Sequence, residues 1–213
     1  MQIKAILFDL DGVILDSEKI YAKYWKEVAE QLGYHLPMDT ILSLRSCDSS
    51  IAKETIQRVT GRENSYSDIR VTRKQLMKEW MNHHNFSIKD GVKEFLQTTS
   101  KYNITRAIVT SALPDDKIKT LRDADILHYF EHIVSAKDIQ RNKPYPDIYV
   151  YACSFLGLNP SECLAIEDSP NGVKSAFSAG VNVVMIPDLS QPDEELLTMC
   201  TALNNIKEVA TLL

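Results

Sequence analysis

The stretch from Ile3 to Ser17, IKAILFDLDGVILDS, constrains this chain more than any other. An apolar run, Ile6-Leu7-Phe8, ends abruptly in Asp9; Asp11 follows two residues on, and Gly12 comes next. A short apolar run bounded by a turn signal reads as a buried strand. Acidic side chains just past the carboxyl end of such a strand sit where open α/β sheets place their ligands. In extended backbone, residues i and i+2 point the same way, so Asp9 and Asp11 can face one small volume. Two crowded carboxylates repel unless a cation joins them or one keeps a proton. Taken alone, the stretch also fits a solvated acidic turn, since Asp-Gly is ordinary turn chemistry.

Beyond Ser17 the pattern turns helical. Ser17 is placed to cap a helix in which Ile20, Tyr24, Trp25, Val28, Ala29 and Leu32 recur at helical spacing before Gly33. Ile51, Ala52, Ile56 and Val59 suggest a second helix ending near Gly61, and Leu76, Met77, Trp80 and Met81 a third. With no strand pattern between Ser17 and Lys89, residues 17–89 are expected to form a small helical domain. It is inserted into a core of residues 1–16 and 90–213. From Asp90-Gly91 on, strand and helix patterns alternate: strands at Arg106–Val109, Ile133–Val134, Leu164–Ile166 and Val181–Ile186, with helices between them. Such alternation means βαβ units and a doubly wound parallel sheet, hence an α/β core with a helical insert. The tail from about Asp193 is expected to be helical.

Composition narrows the partners. Of 213 residues, 44% are hydrophobic and 25% charged, which is ordinary for a folded domain, and the net charge of −5 argues against nucleic acid or an acidic membrane surface. No apolar run approaches a membrane span and no signal-peptide pattern opens the chain, so a cytoplasmic monomer is expected. Cys47, Cys153, Cys163 and Cys200 form no CxxC pair and read as reduced, mostly buried thiols. His83 and His84 would point about 100° apart on a helix, which disfavours a shared ion.

Three strands finish in polar groups: Asp9 and Asp11, Thr110 and Ser111, Glu167 and Asp168, while Lys143 adds a cation in a loop. A parallel sheet brings these ends to one edge. Carboxylates suit a hard divalent cation such as Mg²⁺, and a lysine with a hydroxyl suits the phosphate oxygens beside it. Each group also has a plain reading as a helix cap or a solvated loop residue. All of them at strand ends together favour a site.

These residues resemble the four motifs of the haloacid dehalogenase superfamily. Asp9-Leu10-Asp11-Gly12-Val13 looks like the first motif, Thr110 the second, Lys143-Pro144 the third, and Glu167-Asp168-Ser169-Pro170-Asn171-Gly172 the fourth. The likeness is closest to the branch of β-phosphoglucomutases and small phosphate-ester phosphatases. It implies that Asp9 is the nucleophile, forming an aspartyl-phosphate, and that Asp11 is the general acid and base. It implies metal binding by Asp9, Asp168 and the Asp11 main-chain carbonyl, with Glu167 either a ligand or an acceptor through water. Thr110, Ser111 and Lys143 would bind the phosphoryl group. The helical insert would close as a cap, hinged near Leu15-Asp16 and Lys89-Asp90-Gly91. Tyr21 stands where the mutases carry a histidine. Arg45 lies in the stretch of the mutases' distal-phosphate arginine, whose own place is unfilled. Tyr21 and Arg45 are therefore expected to face a small phosphorylated substrate, and hydrolysis is favoured over the mutase reaction. A binding protein on the same fold would have lost a core residue, yet Asp9, Asp11, Thr110, Lys143 and Asp168 are all present.

Overall fold

The computed structural model describes residues 2–112 and 115–213. At its centre is β1 (Ala5–Phe8), with all four residues buried. It pairs in parallel with β2 (Thr105–Thr110) on one side and β4 (Cys163–Glu167) on the other, so that Phe8 is level with Ile108 and Ile166. β3 (His132–Ser135) flanks β2, while β5 (Asn182–Met185) and a short edge strand, β6 (Thr201–Ala202), continue beyond β4. The order is β3-β2-β1-β4-β5-β6, which reverses direction of travel between β1 and β4. Ligands of doubly wound sheets bind at the carboxyl ends of the strands at that reversal.

Alternate residues feed two cores, as a pleated strand requires. Ile6, Phe8, Ile108 and Ile166 pack with Val92, Phe95 and Leu96 of α5 (Val92–Thr99), Leu121 of α6 (Asp115–Asp123) and the C-terminal Ile206 and Val209. Ala5, Leu7, Val109 and Ala165 face the other way, toward Ile148 and Ala152 of α7 (Asp147–Leu156), Val173 and Ala176 of α8 (Pro170–Ser178), and Leu196 of α9 (Glu194–Leu197). Each fully buried Leu, Ile, Val or Phe contributes about 1.5–3 kcal/mol.

Four helices lie between β1 and α5: α1 (Glu18–Gln31), α2 (Met38–Ser43), α3 (Ser49–Thr60) and α4 (Ser65–His83). They bury a cluster of their own, including Val28, Ala29, Ile41, Ile56 and Ile69. The chain leaves and re-enters the sheet side by side. Asp16 N donates to Ser87 O at 2.9 Å and Lys89 N to Ile14 O at 2.9 Å.

The structure departs from the sequence pattern in four places. Ser17 precedes α1 without capping it, because its hydroxyl donates to Asp11 Oδ1 at 2.6 Å. α2 was not visible, having only six residues, with Ile41 as its one buried side chain. α4 runs 19 residues rather than the short span marked by Leu76 to Met81, because Ile69 is the only buried apolar side chain in its first half and Val71 there is exposed. The tail is not simply helical: α9 has four residues, β6 comes after it, and 3-10 turns run through Ile206–Leu212. Both residues of β6 are exposed, so no apolar alternation announced it. All four cysteines are free. Among the described residues no helix is long and apolar enough to cross a membrane.

Candidate active site

Asp9 follows β1, Glu167 ends β4 and Asp168 comes next, so the sheet reversal gathers three carboxylates. Oxygens from all three lie within 4.8 Å of one another. Asp9 is 2% exposed and the other two are fully buried. Two glycines make the space. A Cβ on Gly12, whose φ of +79° favours glycine in any case, would collide with Asp168 Oδ2, and a Cβ on Gly172 would collide with Glu167 Oε2.

Each carboxylate has one oxygen held and one free. Lys143, itself fully buried, donates from Nζ to Asp9 Oδ1 at 2.6 Å and to Glu167 Oε1 at 2.6 Å. The Tyr149 hydroxyl also donates to Glu167 Oε1, and Arg45 Nη2 donates to Asp168 Oδ2. Among the described residues, Asp9 Oδ2, Glu167 Oε2 and Asp168 Oδ1 have no hydrogen-bond partner. A buried polar atom left unpaired costs about 1–3 kcal/mol, more when charged. Three such oxygens on the three clustered residues fit one hard cation, because an all-oxygen carboxylate set suits Mg²⁺ or a similar ion. The Asp11 carboxylate is not part of this cluster.

Charge in the site follows from burial. Burial pushes the Asp9 carboxyl up to about 7, with Glu167 and Asp11 adding to the rise and Lys143 opposing it. Burial would lower the Lys143 pKa, but Asp9 and Glu167 outweigh it and hold the ammonium above its ordinary range. Burial, followed by the Glu167 charge, raises the Tyr149 hydroxyl well above its usual value.

Beside this cluster opens a cleft of about 450 Å³, lined by Asp11, Ser111 and Lys117 on the sheet side and by Tyr21, Arg45 and Arg73 among the residues of the inserted helices. Asp11 accepts from Ser17 and pairs with the buried Lys117 of α6. Burial works against the Lys117 charge, but Asp11 and Tyr21 more than restore it. Two cations lie near the Tyr21 ring, with Lys117 Nζ 5.4 Å and Arg73 Cζ 5.7 Å from its centroid.

Thr110 is 1% exposed at the end of β2, and its hydroxyl is engaged by Ala112, donating to O at 3.1 Å and accepting from N at 3.3 Å. Ser111 Oγ donates to Asn142 Oδ1 at 2.9 Å, beside Lys143. Arg45 lines the cleft, but its guanidinium is committed to Glu18 Oε2 at 3.1 Å and to Asp168, away from the substrate contact expected of it. Sequence reasoning passed over Lys117, Glu18 and Tyr149. Lys117 lies in the polar run Asp115-Asp116-Lys117, where a lysine ordinarily faces water, so only the fold could reveal it. Glu18 and Tyr149 sit inside helical patterns that carry no mark of buried partners.

Fold and site together define an enzyme of the hydrolase class. The chain belongs to the haloacid dehalogenase-like hydrolases, whose profile matches residues 6–186. Within that family it falls in the branch of the phosphatases and β-phosphoglucomutases. The β-phosphoglucomutase of Bacillus subtilis is 30% identical over 189 residues, covering 85% of this chain and 82% of its own length. The phosphorylated carbohydrates phosphatase of Thermotoga maritima is 28% identical over 182 residues, covering 84% and 82%. The crystal structure of a hydrolase from Pseudomonas syringae superposes with a TM-score of 0.82 at 22% identity, covering 98% of this chain and 97% of that one, and shares the fold.

Proposed function

We propose that this protein is a Mg²⁺-dependent phosphatase of a small phosphorylated metabolite, a sugar phosphate being the leading class. The observation that carries the reading is the half-satisfied state of Asp9, Glu167 and Asp168, each with one oxygen tied and one unpaired. The unpaired oxygens would hold the cation, which supplies charge neutralisation for the phosphoryl oxygens and for the carboxylates themselves.

Asp9 then attacks phosphorus through Oδ1, the oxygen touched by Lys143, and the P–O bond to the leaving group breaks. Lys143 Nζ lies at that attacking oxygen and offsets charge on the transferring group. Asp11, held by Ser17 and Lys117 at the cleft edge, must give up one of these contacts and take up a proton as substrate binds; it then passes that proton to the departing alkoxide and later takes one back from water attacking the aspartyl-phosphate. Thr110 and Ser111, at the end of β2, would exchange their contacts with Ala112 and Asn142 for the remaining phosphoryl oxygens. The inserted helices, residues 17–89, act as the cap; their wall of the cleft presents Arg70, Arg73 and Tyr21, which suits an anionic substrate and excludes bulk water on closure.

The test is to incubate the protein with Mg²⁺ and a panel of sugar phosphates, measuring free phosphate and glucose 6-phosphate side by side, with Asp9→Asn as control. Phosphate release that needs both Asp9 and Mg²⁺ supports the reading. Conversion of β-glucose 1-phosphate to glucose 6-phosphate without net phosphate would make the protein a mutase instead.

A further inference from the structure

Arg45 is 6% exposed, and every part of its guanidinium is used. Nε donates to Glu18 Oε2, Nη1 to Ser190 Oγ at 3.2 Å, and Nη2 to both the carboxylate and the main-chain oxygen of Asp168. It comes from the loop between α2 and α3, opposite the sheet, not from the strand ends that supply the other site residues.

That loop is fastened to the sheet side at both ends. Asn171 Nδ2 donates to Ser43 O at 2.9 Å and Arg45 O at 2.8 Å. Three residues on, Asp48 N donates to Lys143 O at 2.6 Å, and Asn142 N donates to Asp48 Oδ2 at 2.9 Å. Between them Ser46 has φ +53°, a left-handed conformation that side chains seldom adopt, held because its surroundings fix it.

The Arg45 contact occupies Asp168 Oδ2, and Asp168 Oδ1, like Asp9 Oδ2 and Glu167 Oε2 in the same carboxylate cluster, is left without a hydrogen-bond partner among the described residues. A bare guanidinium beside a cation site would repel the cation. Where Glu18 is ionised, above about pH 7, its contact with Nε offsets that charge, so the pair delivers a rigid donor with little net charge.

We propose that Arg45, compensated by Glu18, is a positioning residue that fixes Asp168 as a metal ligand and so links the seating of the 44–48 loop to metal affinity. This role rests on the metal-dependent function proposed for the site. Linkage makes the coupling reciprocal: seating the loop tightens the metal, and the metal steadies the loop by the same factor.

The experiment is calorimetric titration of Mg²⁺ into the full-length wild type, Arg45→Met, Arg45→Lys and Glu18→Gln, with amide exchange of residues 44–48 followed with and without Mg²⁺. Losing a partner that orients a ligand typically weakens metal binding about 10- to 100-fold, and that is the loss expected for Arg45→Met. Arg45→Lys should recover part of it, since one ammonium cannot span both carboxylates. Glu18→Gln keeps the arginine but exposes its charge, so it too should weaken binding, and it serves if Arg45→Met does not fold. Mg²⁺ should slow exchange in the loop of the wild type and not of Arg45→Met. Affinity in Arg45→Met equal to wild type would overturn the proposal, and tighter affinity would show that the guanidinium competes with the metal. A wild type that binds no Mg²⁺ would sink the metal-dependent function itself.

Discussion

Lys117 pairs with Asp11 across 106 residues of sequence, and the lysine is 1% exposed. Together with Ser17 it fixes both oxygens of the carboxylate on which proton transfer depends. Lys117→Met should leave Asp11 on its hydroxyl contact alone. A misplaced general acid loses part of the roughly 10²–10⁴-fold that proton transfer supplies. The expected outcome is a fall in kcat of about 10- to 100-fold with little change in KM, read from steady-state phosphate release. An unchanged kcat would reduce the pair to a structural contact.

Lys143 has a different burden. It lies between two buried carboxylates, so removing it strands both. Breaking a buried pair by deleting one partner costs about 3–5 kcal/mol. Lys143→Met should therefore lower the melting temperature of the metal-free protein and abolish turnover. Added Mg²⁺ should recover more stability in the variant than in the wild type, because the cation replaces the missing charge. Equal recovery in the two proteins would show that Lys143 and the metal do not share these carboxylates.

The strand ends were legible because apolar runs stopping at acids carry local chemistry: Phe8 before Asp9, and Ile166 before Glu167 and Asp168, both fall at the sheet reversal. Lys143 was legible as a loop cation suited to phosphate and gained its place in a motif by resemblance, while its two contacts at 2.6 Å to Asp9 and Glu167 come only from the structure. Lys117 and Glu18 were not legible. Their importance comes from partners that only tertiary packing supplies, and an isolated charge in a helical pattern normally reads as solvated. Arg45 shows the limit of analogy. Its loop borders the cleft, and its direction, onto Asp168, goes with the Asn171 and Asn142 contacts of that loop. Strand β6 and helix α2 escaped because two exposed residues and a single buried one carry no periodicity.

Gly172 offers a test of the cradle that leaves charge alone. It sits in α8 with its N–H on Ser169 Oγ at 3.2 Å, and a methyl group there would meet Glu167 Oε2. Alanine favours a helix over glycine by about 1 kcal/mol, so propensity alone predicts a more stable Gly172→Ala. The clash predicts the opposite for the site: Glu167 must shift, and Mg²⁺ affinity should drop at least tenfold while helical content by circular dichroism stays unchanged. Wild-type affinity in this variant would remove Glu167 from the metal site.

Metal-free stability should fall as pH rises from about 5 to 8. Burial, opposed by Lys143, pushes Asp9 up to about 7, and burial, opposed by Arg45, does the same to Glu18. In the unfolded chain such carboxyls titrate near 4. Between these values the folded state binds more protons than the unfolded state, so stability declines with increasing pH. Lys117 and Lys143 do not alter the trend. Their folded values are raised, so what they contribute is fully present below about 10.4, the ordinary lysine value, and is constant across this window. For a chain of this size, each kcal/mol lost lowers Tm by about 2–4 °C. Melting in EDTA at pH 5.5 and pH 8.0 checks the sign. Saturating Mg²⁺ should flatten or reverse the slope, because the bound cation favours the ionised carboxylates. A metal-free protein that melts higher at pH 8.0 would mean that these carboxyls ionise in the ordinary range despite their burial.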